Sequence, residues 1–378
     1  MGGTRSIDWR EQIELIIDGR QPRYLPAVFR MSRWYKARIH RNSLPAELAG
    51  MSLAQIEDYL GLARSARYAK ICRIEFRPPV EKLLYRDGDL VVTEYRTPRG
   101  DLRRIARFGP GDETSGIDPT LIEYPVKSWK DYAALAEVFR HMEFVPTYDE
   151  YNRYDRQIGR AGMPMVIIGA IPFHYVLQEW TGYEKGYLDL HDRPDVFLEA
   201  VEAGNQAYVR MWEVAASSPA RLLLHGINFD RQMTPPPLWR QHWLDYLSRF
   251  TREMHLHGKK VVFHADGDMS GLLELMLEAD LDVADCFACH PLVPCTVAQA
   301  REVWKDRITI WGGLPSTLLE PGAPIDALLA HLDDLRKTVH PGKRFILGLT
   351  DMAMPTTSWD HLLAVRDWLA QHRDWLVG

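Results

Sequence analysis

The chain has 378 residues, 46% hydrophobic and 26% charged, an ordinary globular balance with enough apolar material for a large core. Its formal net charge of −5 excludes general nucleic-acid binding through a broad basic face. No stretch reaches the roughly 18 apolar residues of a membrane span, and four cysteines (Cys72, Cys286, Cys289, Cys295) do not make a disulfide scaffold in a chain this long. The expectation is a cytoplasmic protein with reduced thiols and neither a membrane nor a nucleic-acid partner. Met1-Gly2 with Ser6 touches the myristoylation pattern, but no basic or second lipid signal accompanies it.

In chain order, the first short apolar run is 25–29. A basic run follows, Arg30, Arg33, Lys36, Arg38 and Arg41, interleaved with Trp34 and Tyr35. Arg30 and Arg33 offer guanidinium forks for substrate carboxylates; the alternative is a solvated basic face. The run 70–76 reads as another strand. Segments 83–86 and 90–96, joined at Asp87-Gly88 and followed by Thr97-Pro98-Arg99-Gly100, read as antiparallel strands with turns. They lie in a long connection at about 77–164, either a cover over a barrel mouth or a surface hairpin.

From 165 onward, short apolar runs at 165–170, 221–224, 260–263, 281–284, 308–311 and 344–347 alternate with helical patterns such as 272–279 and 325–338. That alternation predicts βαβ units and a parallel sheet. With 25–29 and 70–76 the count reaches about eight strands. The predicted architecture is an α/β single-domain (β/α)8 TIM barrel over 1–378 with a hairpin excursion at about 77–164; an open doubly wound sheet is the competitor.

Barrel enzymes carry their chemistry at the C-terminal strand ends. Here those ends deliver His225, Asn228 and Asp230; His264 and Asp266; Asp285, Cys286, Cys289 and His290; and Thr350 and Asp351. In His264-Ala265-Asp266, an extended backbone puts positions i and i+2 on one side. The pair suits a divalent metal, zinc first, with Asp351, Cys286 or Cys289 completing the site. Direct acid/base work is a second reading, and an Asp266 that only bonds His264 or caps a helix near Ser270 is a third. Asp230 joins His264 and Asp266 as a catalytic candidate, and His225 and Asn228 join Arg30 and Arg33 as substrate contacts. Gly267 lets the chain turn away. Cys286-Phe-Ala-Cys289-His290 matches the haem-attachment spacing, which needs export; a zinc cluster with Cys295 and inert buried thiols are the other readings. His255 and His257 precede their strand and read as surface residues.

These residues carry a family resemblance. His264-Ala265-Asp266-Gly267-Asp268 with 272–279 behind it, Ile310-Trp311-Gly312-Gly313-Leu314-Pro315, Phe345-Ile346-Leu347-Gly348 followed by Asp351 and Pro355, and Gly226-Ile227-Asn228-Phe229-Asp230 resemble the uroporphyrinogen decarboxylase superfamily. That group includes haem-pathway decarboxylases and cobalamin-dependent methyltransferases. The resemblance covers roughly 163–369 and is weak over the first 160 residues. It implies a (β/α)8 barrel and a small-molecule substrate. Asp266 stands where the methyltransferases have a zinc-binding Cys, and Leu349-Thr350-Asp351 stands where they have another. The leading expectation is a metal-assisted methyltransferase or demethylase that passes a methyl group from a small methylated compound to a corrinoid, held on a separate corrinoid protein. The alternatives are a cofactor-free decarboxylase of a carboxylated, porphyrinogen-like substrate, and a non-catalytic barrel that binds a ligand or partner. A homodimer fits the resembling proteins.

Overall fold

The computed structural model describes residues 7–375; the Met1-Gly2 and Ser6 pattern lies outside them. Thirteen strands occur among the described residues: β1 (Ala27–Val28), β2 (Cys72–Phe76), β3 (Glu81–Asp87), β4 (Leu90–Arg96), β5 (Leu102–Arg107), β6 (Thr120–Glu123), β7 (Met142–Pro146), β8 (Met165–Gly169), β9 (Leu222–His225), β10 (Lys260–His264), β11 (Val283–Phe287), β12 (Thr309–Leu314) and β13 (Phe345–Leu349). Seven of them form one sheet in the order β1-β13-β12-β11-β10-β9-β8, parallel at every pairing. The sheet curls with helices outside it. Between its two edges runs segment 63–69, which makes one parallel bridge to each, Ala63 to Val28 and Ala69 to Val166. An irregular stretch thus takes the eighth place of the barrel.

This corrects the expected eighth strand at 70–76. Cys72–Phe76 leaves the barrel and pairs antiparallel with β7. Its alternating Cys-Arg-Ile-Glu-Phe suits a strand with one wet face, whereas a barrel strand buried on both faces needs a continuous apolar run. Segment 63–69, Ala-Arg-Ser-Ala-Arg-Tyr-Ala, gives no such run, because small alanines do its packing. Residues 81–123 form a separate antiparallel sheet, β3-β4-β5-β6, which meets the barrel where the Tyr95 ring lies 5.1 Å from that of Trp180.

Side-chain alternation divides the core in two. Val28, Ala63, Met165, Leu222, Leu224, Val262, Val283, Trp311 and Ile346 pack inside the barrel. Leu223, Phe263, Ala284, Ile310 and Leu347 face the helices. The inward series therefore continues past Val262 to His264 and past Val283 to Asp285, and these decide the chemistry of the mouth.

The closing segment carries a pH-sensitive neighbour. Glu57, in the helix Leu53–Tyr59, is buried 3.4 Å from Arg64. Burial pushes its pKa up to about 7, with the Arg64 charge only partly offsetting it. A carboxyl held above its unfolded value near 4.3 contributes fully below that pH, and the contribution is lost as pH rises through the folded value. Glu57→Gln is expected to remove a loss of roughly 3 kcal/mol between pH 4 and pH 8. Urea unfolding at the two pH values checks this; parallel pH slopes for variant and wild type would refute it.

Candidate active site

His264 ends β10, and its in-register neighbour on β11 is Asp285. Both belong to the inward series, so they meet at the C-terminal mouth. His264 Nδ1 lies 2.9 Å from an Asp285 carboxylate oxygen. Arg67, on the closing segment, donates to both oxygens of the same carboxylate, one of them at 2.6 Å. Asp285 is 0% exposed, the Arg67 side chain 8% and His264 9%. Such an ion pair persists out of water because it is two-pronged and its remaining lone pair is hydrogen-bonded.

Past Asp285 the register of β11 shifts, and Cys286 takes φ +54°. This bulge lets two consecutive residues meet the site, while Phe287 turns outward onto Trp304. Cys286 Sγ lies 3.6 Å from Arg67, 3.9 Å from Arg30 and 3.5 Å from the Asp351 carbonyl oxygen. Arg30 in turn donates to the Asp351 carboxylate at 2.9 Å. On the outer side, Asp266 Oδ2 is 3.3 Å from His264 Nε2, and the Asp266 side chain is 30% exposed. The site has a closed floor of paired charges and an open rim.

The electrostatics follow from this arrangement. Burial would lower the His264 pKa, but Cys286, Asp266 and Asp285 outweigh it and hold the imidazole well above its ordinary value. Burial likewise opposes ionisation of Asp285, yet Arg67 and His264 keep its carboxyl well below the usual carboxylate range.

The other expected residues fall into several places. Asp230 accepts from the backbone N–H of Gln232, Met233 and Asp268 at 2.8, 3.2 and 2.8 Å. It therefore ties the loop after β9 to the loop bearing Asp266. Gly267 is needed for that contact rather than for a turn, because a Cβ there would lie 2.6 Å from the Phe229 carbonyl oxygen. Asn228 is exposed at φ +55° in the same loop. His225 does not face the mouth: Leu222 and Leu224 point inward, so His225 points into the helical layer, with Nδ1 on the Gly169 carbonyl at 3.0 Å and Nε2 on the Tyr246 hydroxyl at 2.9 Å. Arg33 lies 3.4 Å from Asp118.

Asp351, with its carboxylate on Arg30, lies outside the group of metal-binding side chains. Among the described residues that group is His264, Asp285 and Cys286, with ligand atoms within 4.8 Å of one another. Cys289 is buried in the outer core against the Gly313 carbonyl at 3.3 Å, its thiol pushed up to about 12 by burial and by Cys295. Burial likewise raises Cys295 to about 11, and His290 is exposed. A zinc cluster of Cys286, Cys289, His290 and Cys295 is therefore not assembled.

The family model described as uroporphyrinogen decarboxylase (URO-D) matches residues 113–372. The chain belongs to the uroporphyrinogen decarboxylase family. A solved methyltransferase from Methanosarcina mazei superposes with a TM-score of 0.58 over 96% of this chain and 98% of that one, at 12% sequence identity, a likeness of fold. No curated protein sequence matches it.

For a member of this family, the floor residues are the ones least visible in the sequence. Arg67 lies in a stretch without periodicity, and Asp285, although it stands among the residues at the strand ends, has no role assigned by the sequence because the apolar run 281–284 ends before it. A charged residue at an inward, doubly buried strand position is the signal that could have given it that role. Tyr183 is another addition: its hydroxyl meets His174 at 2.7 Å and Gln178 at 3.1 Å, and its pKa is pushed up to about 12, chiefly by burial, with Asp230 and Asp266 adding to the shift.

The donor set also bears on the metal that the resemblance implies. Both Asp285 oxygens serve Arg67, and one also serves His264 Nδ1, so Asp285 is placed to orient the His264 imidazole and is itself occupied. His264 Nε2 is left toward Asp266 at 3.3 Å, the separation of two ligands that share one ion at about 2.0–2.2 Å each. The ligand-type side chains that lie together are His264, Asp285 and Cys286; with Asp285 committed to Arg67, His264 and Cys286 are the donors left to a divalent metal, and Asp266 stands beside His264 but outside that group.

Proposed function

We propose that this mouth is a metal-assisted methyl-transfer site. His264, Asp266 and Cys286 would hold a divalent metal, and a small O- or N-methylated compound would give its methyl group to a corrinoid carried by a separate protein. The observation that supports this most is a charge balance. Arg67 cancels Asp285 and Arg30 cancels Asp351, at 2.6 and 2.9 Å. What remains is one carboxylate, Asp266, and one thiol that metal binding would deprotonate, beside a neutral imidazole. Their two negative charges match a divalent cation.

The bound ion would supply Lewis acidity to the substrate's heteroatom, making it a better leaving group. The chain's own residues would set the geometry. Asp285 fixes the His264 ring through Nδ1. Asp230 holds the loop that carries Asp266. Ile167, in register with inward-facing Leu224 and 48% exposed, offers an apolar wall for a methylated group. The test is to incubate metal-loaded protein with cob(I)alamin and a panel of methoxylated aromatics and methylamines, following cob(I)alamin consumption. Turnover with one class is expected, reduced about 1,000-fold or more in His264→Ala. No turnover with any member counts against the reading.

One observation favours a second reading. An imidazole with a raised pKa, sharing Asp285 with Arg67 in a site where Arg30 and Arg67 both reach Cys286, could protonate a carbanion left by decarboxylation of a carboxylated, porphyrinogen-like substrate without a cofactor. Carbon dioxide release by metal-free protein would distinguish it.

A further inference from the structure

The barrel wall parts at its seam. The closing segment 63–69 makes its last bridge to β8 at Ala69 and Val166, and beyond it the chain turns away, so that Cys72 pairs with Pro146 of β7. Among the described residues no strand then lies beside Ile167 and Ile168 on that edge of β8. The gap is a cavity of about 490 Å³, lined by Cys72 and Ile74 of β2, Phe144 of β7, and Ile167 and Ile168 of β8. We infer that this lateral opening receives the apolar ring of the substrate, so that the methyl donor is a methoxylated aromatic and not a methylamine. The choice of methyl donor rests on the proposed methyl transfer; the ring site does not.

Apolar surface stands uncovered on both sides of the gap. Alternation along β2 puts Cys72 and Ile74 on one face, and register puts Ile74 opposite Phe144, so this is the face that should be covered. Ile74 is nevertheless 50% exposed. Across the opening, Ile167 is 48% exposed, although its neighbour in register, Leu224, packs inside the barrel. Water is displaced favourably from such surface by an apolar group. The volume of about 490 Å³ lies within the roughly 300–1,000 Å³ that ligand pockets span, and the mostly apolar lining is of their kind. A methylammonium cation finds no such match. Glu150, a carboxylate of the lining, is exposed at the rim, where its charge is screened, and the walls behind it offer no counter-charge. The opening also adjoins the mouth. Ile167 belongs both to its lining and to the inward series of β8. Arg67, two residues before Ala69, reaches from the same segment to Asp285 at the floor, so the seam and the site are neighbours. A ring seated between Ile74 and Ile167 can therefore present its methoxy group to the barrel interior.

Calorimetric titration of the full chain with anisole, and separately with trimethylamine, tests the site without cobalamin, so that no turnover enters. Saturable binding of anisole is expected, with half-saturation below about 5 mM, and none of trimethylamine. Saturating anisole should also slow alkylation of Cys72 by N-ethylmaleimide about 5-fold or more, followed by peptide mapping in mildly alkaline buffer, since burial raises that thiol. Cys72→Phe, which fills the opening with a ring of its own, should weaken anisole binding about 10-fold or more. Ile74→Gln, at a half-exposed position, should weaken it several-fold, and it keeps the test open if the first variant fails to fold. No saturable binding of anisole, unslowed alkylation of Cys72, trimethylamine binding as tight as anisole, or anisole binding unchanged in a folded variant overturns the inference. The methyl-transfer reading fails separately: anisole bound at the opening without turnover by metal-loaded protein counts against that reading and upholds the ring site.

Discussion

Asp285→Ala is expected to destabilise the protein by about 3–5 kcal/mol, a large part of the 5–15 kcal/mol that holds a typical domain together. The physical cause is the partner left behind. Arg67 has a side chain only 8% exposed and spends its guanidinium on Asp285, so removing the carboxylate strands a buried charge. His264 Nδ1 loses its acceptor at the same time. Replacing both members by apolar residues, Arg67→Met with Asp285→Leu, should recover most of the loss, because neither charge then needs water. Urea unfolding of the two single variants and the double variant measures the coupling. The acid limb carries a second signature. The Asp285 pKa is depressed in the fold by Arg67 and His264, against the opposing effect of burial, so its contribution is present above the unfolded value near 3.9 and lost as pH falls through the lower folded one. The double variant should lack that loss. An Asp285→Ala protein that unfolds at the wild-type urea midpoint would contradict the account of the floor.

The second large effect separates two thiols three positions apart. Cys286→Ser should weaken zinc binding about 100-fold or more, since it replaces a soft anionic donor by a neutral hydroxyl. Cys289→Ser should leave zinc affinity unchanged, because that thiol faces the Gly313 carbonyl in the outer core. Asp266→Cys should tighten zinc while narrowing tolerance for Mn²⁺. Competition against a chromophoric chelator reads all three. Unchanged zinc affinity in Cys286→Ser, or a loss in Cys289→Ser as large as that in Cys286→Ser, would contradict this assignment.

The barrel was legible where strands are buried on both faces, because such strands read as unbroken apolar runs: 165–170, 221–224, 260–263, 308–311 and 344–347 each fall on or beside a barrel strand. The closing segment was not legible. Its alanines pack without forming an apolar run, and the Arg67 that it carries looks like one more surface arginine. At the mouth, strand-end position alone pointed to His264. It misassigned His225, where the parity of Leu222 and Leu224 would have turned the ring outward. Parity in turn does not give Cys286, because a bulge at φ +54° breaks the alternation after Asp285, and no spacing in the sequence marks it.

The most direct measurement of the central claim is the metal content of the purified chain, by elemental analysis, alongside the Asp266→Ala and His264→Ala variants with their thermal melts. The account predicts about one divalent metal per wild-type chain and little in either variant. It also predicts that Asp266→Ala keeps its melt, since the residue sits on the open rim, 30% exposed. A wild-type protein that holds no metal after exposure to zinc, or an Asp266→Ala variant that retains its full complement, would contradict it and leave His264 as an acid without a metal.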